Sequence, residues 1–215
     1  MKETYFTRET LLQKSQEMLA TVLEQRTRHN WKFTPGNSAL LVLDMQNYFL
    51  KESSHAYIPS APAIVPNIQK LIEMFIQRQQ PLIFTRHINT KEDGKMMLRW
   101  WKNLISADDS ESTIYDQVDT SGGMVIEKTQ YDAFFQTNLD MLLQSKGIEK
   151  VVITGVMANL CCETTARSAF IRGYEVFFVI DGTAAYNEAV HRATILNLAH
   201  GFAIPVLASE IPLNK

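Results

Sequence analysis

Six short apolar runs recur along the chain: "ALLVLD" (39–44), "PLIFT" (81–85), "MVIEK" (124–128), "KVVITG" (150–155), "EVFFVID" (175–181) and "AIPVLA" (203–208). Runs this continuous read as strands buried on both faces, which need a layer of helices on each side. The intervening segments supply them. Residues 64–80 carry Ile64, Val65, Ile68, Leu71, Ile72, Phe75 and Ile76 at helical spacing, and further helical stretches fall near 137–146, 161–172 and 188–200, the last two closed by Gly173 and Gly201. The alternation predicts an α/β protein: a three-layer α/β/α, Rossmann-like fold with a mainly parallel sheet of about six strands. Residues 88–122 break the rhythm, being polar with at most short helices and with aromatics at Trp100 and Trp101.

Ahead of the first run, residues 9–28 carry Leu11, Leu12, Met18, Leu19, Val22 and Leu23 as one helical stripe leading to a turn at Pro35-Gly36. The expected organisation is a helical arm over 1–36 and one domain over 37–215. Such a stripe must bury itself, on its own domain or on a partner. A formal net charge of −2 with scattered Lys and Arg gives no case for nucleic acid or an anionic membrane, so a small-molecule substrate is expected. The start "MKETYFTRETLLQK" lacks the apolar core of a signal peptide, and no window approaches the roughly 18 uncharged apolar residues of a membrane span. The chain's two cysteines, Cys161 and Cys162, are adjacent, which strains a disulfide. Two free thiols in a reducing cytoplasm are the expectation.

Sheets of this kind hold their sites beyond the carboxyl ends of the strands. That rule selects Asp44, Arg86, His87, Lys128, the 155–161 turn and Asp181. No G-x-G-x-x-G follows the first strand and no G-x-x-x-x-G-K-[ST] occurs, so no nucleotide cofactor is expected. Cys161 falls at the first turn of an expected helix, where the dipole and free N–H groups favour a thiolate. The alternative is a small buried hydrophobe, which better suits Cys162, one residue round the turn. Asp44 either caps the segment after its strand or accepts the thiol proton, and Lys128 is either a solvated strand end or a charge partner. Together they form a nucleophile, base and cation set on three strand ends.

The segments "ALLVLDMQNYF", "PLIFTRH", "VIEKTQYDAFFQTNLDMLL", "VVITGVMANLCCETTARSAFIRGYEVFFVIDGTAA" and "AIPVLAS" resemble the isochorismatase-like superfamily of hydrolases, which includes nicotinamidases, N-carbamoylsarcosine amidohydrolase and isochorismatase. The resemblance implies an Asp–Lys–Cys triad at Asp44, Lys128 and Cys161. It also implies a cis peptide at Val156–Met157 and an oxyanion hole from the backbone N–H groups of Met157 and Cys161. It points to a cysteine hydrolase cleaving a small amide or carbamoyl compound through a thioester. Where metal-binding nicotinamidases carry an Asp-x-His arrangement, this chain has "TRHINT", so no metal is expected. His87 is then a substrate contact or pocket wall, with a structural histidine as the alternative, and Tyr131, Phe134, Trp100 and Trp101 are candidate pocket walls. The arm and "NWKFTPGNSALLVLDMQNYF" are similar to true isochorismatases, which keeps vinyl-ether hydrolysis by Asp44 as an alternative. A non-catalytic interaction protein on the same fold is the remaining one. The family also implies a homo-oligomer, a dimer or tetramer, with the arm or the 96–115 loop near a neighbouring pocket.

Overall fold

A computed structural model describes residues 1–29 and 31–212. Two helices, α1 (Leu11–Ala20) and α2 (Leu23–His29), precede strand β1 (Ser38–Leu43). They are followed by α3 (Asn47–Leu50), α4 (Ala61–Gln77), β2 (Leu82–His87), α5 (Lys95–Trp101), β3 (Met124–Lys128) and α6 (Leu139–Ser145). The chain continues through β4 (Lys150–Val156), α7 (Glu163–Ile171), β5 (Glu175–Ala184), α8 (Glu188–Gly201) and β6 (Ile204–Val206). The six strands form one sheet in the order β3-β2-β1-β4-β5-β6, every neighbouring pair parallel, with helices on both sides. Every residue of β1 is buried, as its unbroken apolar run requires, whereas Met124 and Val125 of the edge strand β3 are half exposed. Among the described residues, no helix is long and apolar enough to cross a membrane.

The strand order reverses between β1 and β4. Chain direction diverges there and opens a crevice at the carboxyl ends of the two strands. At that seam Gly155 has φ 108°, and a Cβ on it would lie 2.1 Å from the carbonyl oxygen of Leu43. Only glycine lets β4 approach β1 so closely.

The expected single arm helix is two. Its path breaks at Thr21–Val22, where Thr21 N–H donates to the carbonyls of Glu17 and Met18 and Val22 N–H to that of Leu19. The break turns Val22 inward beside Met18, both fully buried, while Leu12 and Leu23 stay 61% and 51% exposed. Four of the stripe's six residues, Leu11, Met18, Leu19 and Val22, therefore find their cover on this chain's own core. Ion pairs from Lys14 to Glu188 and from Arg26 to Glu210 fasten the arm along α8 and the residues after β6.

Candidate active site

Four strand ends meet at the crevice. Asp44 follows β1 in the left-handed region, with φ 50°, a conformation aspartate tolerates better than most residues. Its N–H donates to Thr85 Oγ1 at 3.1 Å, and its Oδ1 accepts from the same hydroxyl at 2.6 Å, so a β2 side chain fixes the carboxylate. Lys128, the last residue of β3, reaches across β2 to place Nζ 2.7 Å from Asp44 Oδ2, both side chains being wholly buried. The ammonium also donates to the carbonyls of Gln130 at 2.9 Å and Tyr131 at 3.3 Å, and lies 3.4 Å from Cys161 Sγ.

Cys161 is carried by one wide helical turn, Ala158–Cys162, closed by Cys162 N–H on the Met157 carbonyl five residues back at 3.2 Å. The Val156–Met157 peptide entering this turn is cis. The expected helix over 161–172 thus starts only at Glu163, and both cysteines sit in the π-type turn before it. Cys162 points into the core, its Sγ 3.9 Å from the Thr154 carbonyl, and Cys161 lines a cavity.

The electrostatics of the trio differ from the sequence expectation in one respect. Burial, and after it the Asp44 carboxylate, push the Cys161 thiol above its ordinary range instead of lowering it as a helix N-terminus would. The resting sulfur therefore carries its proton. Burial alone would raise Asp44, but the Lys128 ammonium, His87 and the thiol's hydrogen bond outweigh it and hold the carboxyl below its usual range. Lys128 is raised in turn, because Asp44 and Cys161 overcome the cost of its burial. The site rests as carboxylate, ammonium and neutral thiol.

His87 borders the same cavity with both ring nitrogens committed: Nε2 lies 2.7 Å from Asn89 Oδ1 and Nδ1 lies 3.4 Å from Lys128 Nζ. Asn89 holds its own orientation by donating to the Thr129 carbonyl at 2.7 Å, which leaves Oδ1 as acceptor and places the imidazole proton on Nε2. Burial and the neighbouring ammonium depress His87 to about 4, so it is a neutral wall and offers no hydrogen bond to a ligand. Gln46, two residues after Asp44, clamps the strand end: it accepts from His87 N–H at 2.8 Å and donates to the carbonyls of His87 and Ser112.

The cavity measures about 230 Å³, with Tyr48, Phe49, Trp101, Tyr131 and Tyr186 as aromatic walls and His55, Asn103, Met157 and Leu160 among its other lining. Trp101 Nε1–H donates to Tyr131 Oη at 2.6 Å and closes one side. Trp100, on the same helix, is 73% exposed and does not line this cavity; it borders an adjoining depression that shares Trp101, Tyr131 and Tyr186 with it. Phe134 lies outside the cavity, stacked on Tyr174 beneath the Arg172 guanidinium. Two other strand-end residues serve the frame: Arg86 pairs with Glu127 and ties down Ala107 and Ser112, and Asp181 accepts from Asn67 and the Ala208 N–H. Tyr48, Asn89, Asn103 and Tyr186 were not singled out from sequence. Tyr48 and Asn89 lie four and two residues past the selected strand-end residues, a spacing that could have drawn notice.

Asp44, His87 and Cys161 bring one ligand atom each to within 4.8 Å of one another, the spacing of a metal site. The Lys128 ammonium already contacts all three, at 2.7, 3.4 and 3.4 Å. A divalent cation would have to displace a buried, ion-paired ammonium, so these residues do not fit a metal.

Residues 38–210 match the isochorismatase domain family model. Nicotinamidase 3 of Arabidopsis thaliana is 42% identical over 172 residues, covering 77% of this chain and 82% of that protein. The crystal structure of a cysteine hydrolase from Pseudomonas syringae pv. phaseolicola 1448A superposes with a TM-score of 0.80 at 26% identity, over 84% of this chain and 93% of the other. That of N-carbamoylsarcosine amidase from Thermoplasma acidophilum does so with a TM-score of 0.71 at 29% identity, over 80% and 96%.

Proposed function

Because the chain belongs to the isochorismatase family of hydrolases, we propose that it hydrolyses a small aromatic carboxamide through a Cys161 thioester, as its likeness to a nicotinamidase favours. The observation that carries this reading is the convergence of Asp44 and Lys128 beside Cys161, which lines an aromatic-walled cavity. At about 230 Å³ the cavity falls below the roughly 300–1,000 Å³ of drug-sized sites, which suits one ring bearing an amide.

In this mechanism Asp44 takes the thiol proton as sulfur attacks the carbonyl carbon. The developing oxyanion rests on the N–H groups of Met157 and Cys161. Collapse breaks the C–N bond, and the proton held by Asp44 goes to the departing nitrogen, which leaves as ammonia. Water then gives a proton to Asp44 and attacks the thioester; the C–S bond breaks and the thiolate recovers the proton. Lys128 keeps Asp44 ionised between steps. Vinyl-ether hydrolysis needs Asp44 as an acid, and the pairing with Lys128 that holds its pKa low opposes that role.

A panel of nicotinamide, other small amides, ureas and isochorismate, assayed for ammonia and pyruvate, tests the reading. Ammonia from an aromatic carboxamide is expected, with turnover unchanged by exhaustive chelation. Pyruvate from isochorismate with no ammonia from any amide would overturn it. The reading includes a homo-oligomer, supported by Met96 and Trp100, which stand 60% and 73% exposed together on α5. Light scattering is expected to give a multiple of 24.5 kDa, and a monomeric mass at micromolar concentration removes that part.

A further inference from the structure

The segment ahead of α1 is laced across two loops that wall the cavity. Glu3 N–H donates to the Tyr186 carbonyl at 2.8 Å, and the neighbouring Ala185 N–H donates to Tyr5 Oη at 2.9 Å. Tyr5 Oη passes its own proton toward Nδ1 of the buried His191, 2.9 Å away, whose Nε2 lies 3.0 Å from Thr183 Oγ1. This network anchors the backbone of 183–186 at the end of β5. On the other side, the N–H groups of Tyr5 and Phe6 both donate to Ser60 Oγ at 3.0 Å. The Lys2 ammonium joins the two loops, donating to the His55 carbonyl while standing 4.8 Å above the Tyr186 ring. His55 in turn bonds Tyr48 Oη through Nε2 at 3.0 Å. Three residues of the cavity wall, Tyr48, His55 and Tyr186, are therefore linked through one strap.

We infer that residues 2–6 are a strap that sets the width of the substrate cavity, with Lys2 and Tyr5 as its positioning residues. Resting on the amidohydrolase reading, this assigns the arm a part in substrate selection. Neither side chain lines the cavity, so both act through the Tyr186 and His55 walls. Lys2 is exposed, so its loss leaves the core untouched; Tyr5 is 2% exposed, so its hydroxyl reports the buried anchor.

The test compares Lys2→Ala, Lys2→Arg and Tyr5→Phe with the parent chain by two readouts. The first needs no substrate: the rate of Cys161 alkylation by iodoacetamide and by the bulkier N-phenyl iodoacetamide, followed by mass spectrometry. Lys2→Ala and Tyr5→Phe are expected to raise the bulky-to-small rate ratio at least about threefold, and Lys2→Arg to leave it near the parent value. The second is amide turnover, where Lys2→Ala is expected to raise KM about three- to tenfold, well beyond any fall in kcat, at an unchanged melting temperature. If no amide is turned over, the amidohydrolase reading fails, and the alkylation ratio still decides the strap. An unchanged ratio in both Lys2→Ala and Tyr5→Phe overturns it.

Discussion

Replacing Cys161 by alanine is expected to lower amide turnover by roughly four orders of magnitude or more, the scale on which removal of a covalent nucleophile acts. The neighbouring Cys162→Ala is expected to keep turnover within about threefold, at a stability cost of about 1–2 kcal/mol for the small core void it leaves. The sulfurs differ by position: Cys161 faces the cavity beside Lys128, and Cys162 sits against the Thr154 carbonyl with no exposed surface. One equivalent of iodoacetamide should accordingly label Cys161 first. Access governs that preference, because burial and Asp44 keep the resting thiol protonated. It follows that Asp44→Asn should abolish turnover for want of a base without slowing alkylation of Cys161, because it removes a charge that keeps the thiol protonated and leaves the Lys128 ammonium beside the sulfur. Full turnover by Cys161→Ala would sink the thioester mechanism and leave Asp44 as sole catalyst, the vinyl-ether case.

The two thiols also show how far sequence can reach. Adjacent residues on a helical turn point about 100° apart, so one cysteine of the pair had to face away from the crevice. The rule that sites lie at strand ends chose which turn mattered. Trp100 and Trp101 pose the same alternative on α5, but no rule ranked them, because the helix lies in a long loop whose placement is set by tertiary contacts. There Trp101 took the cavity side through its bond to Tyr131. The parallel six-stranded sheet was legible for a related reason: apolar runs alternating with helices leave few topologies, and all six strands appear where the runs fall. The arm's break at Thr21–Val22 was hidden because its stripe satisfies helical periodicity on either side. Phe134, next to a site strand in sequence, went instead to Tyr174 and Arg172, partners 40 and 38 residues away that periodicity does not encode. The inversion of the Cys161 pKa had the same origin. Helix position argued for a thiolate, and only the packed structure reveals that burial and a carboxylate dominate it.

Lys128→Met is expected to destabilise the fold by roughly 3–5 kcal/mol near neutral pH, on the order of 10 °C in melting temperature, as well as abolish turnover. Methionine fills much of the lysine's volume, so the loss is electrostatic: Asp44, with no exposed surface, keeps its charge without the cation 2.7 Å away. The pH dependence follows with a definite sign. In the parent chain the folded-state pKa of Asp44 is depressed, so its contribution to stability is present above the unfolded value of about 3.9 and is lost as pH falls through the folded value. In the variant burial acts unopposed by the ammonium and raises the folded pKa above the unfolded one. The deficit should then shrink on acidification, as the carboxyl takes up a proton and the uncompensated charge disappears. Adding Asp44→Asn to Lys128→Met removes that charge altogether, so the double variant should be more stable at neutral pH than Lys128→Met alone while remaining inactive. Chemical denaturation of the four proteins at several pH values measures both terms. Equal deficits at pH 5 and pH 8, or a double variant less stable than either single one, would show that Lys128 holds the site by packing and not by its charge on Asp44.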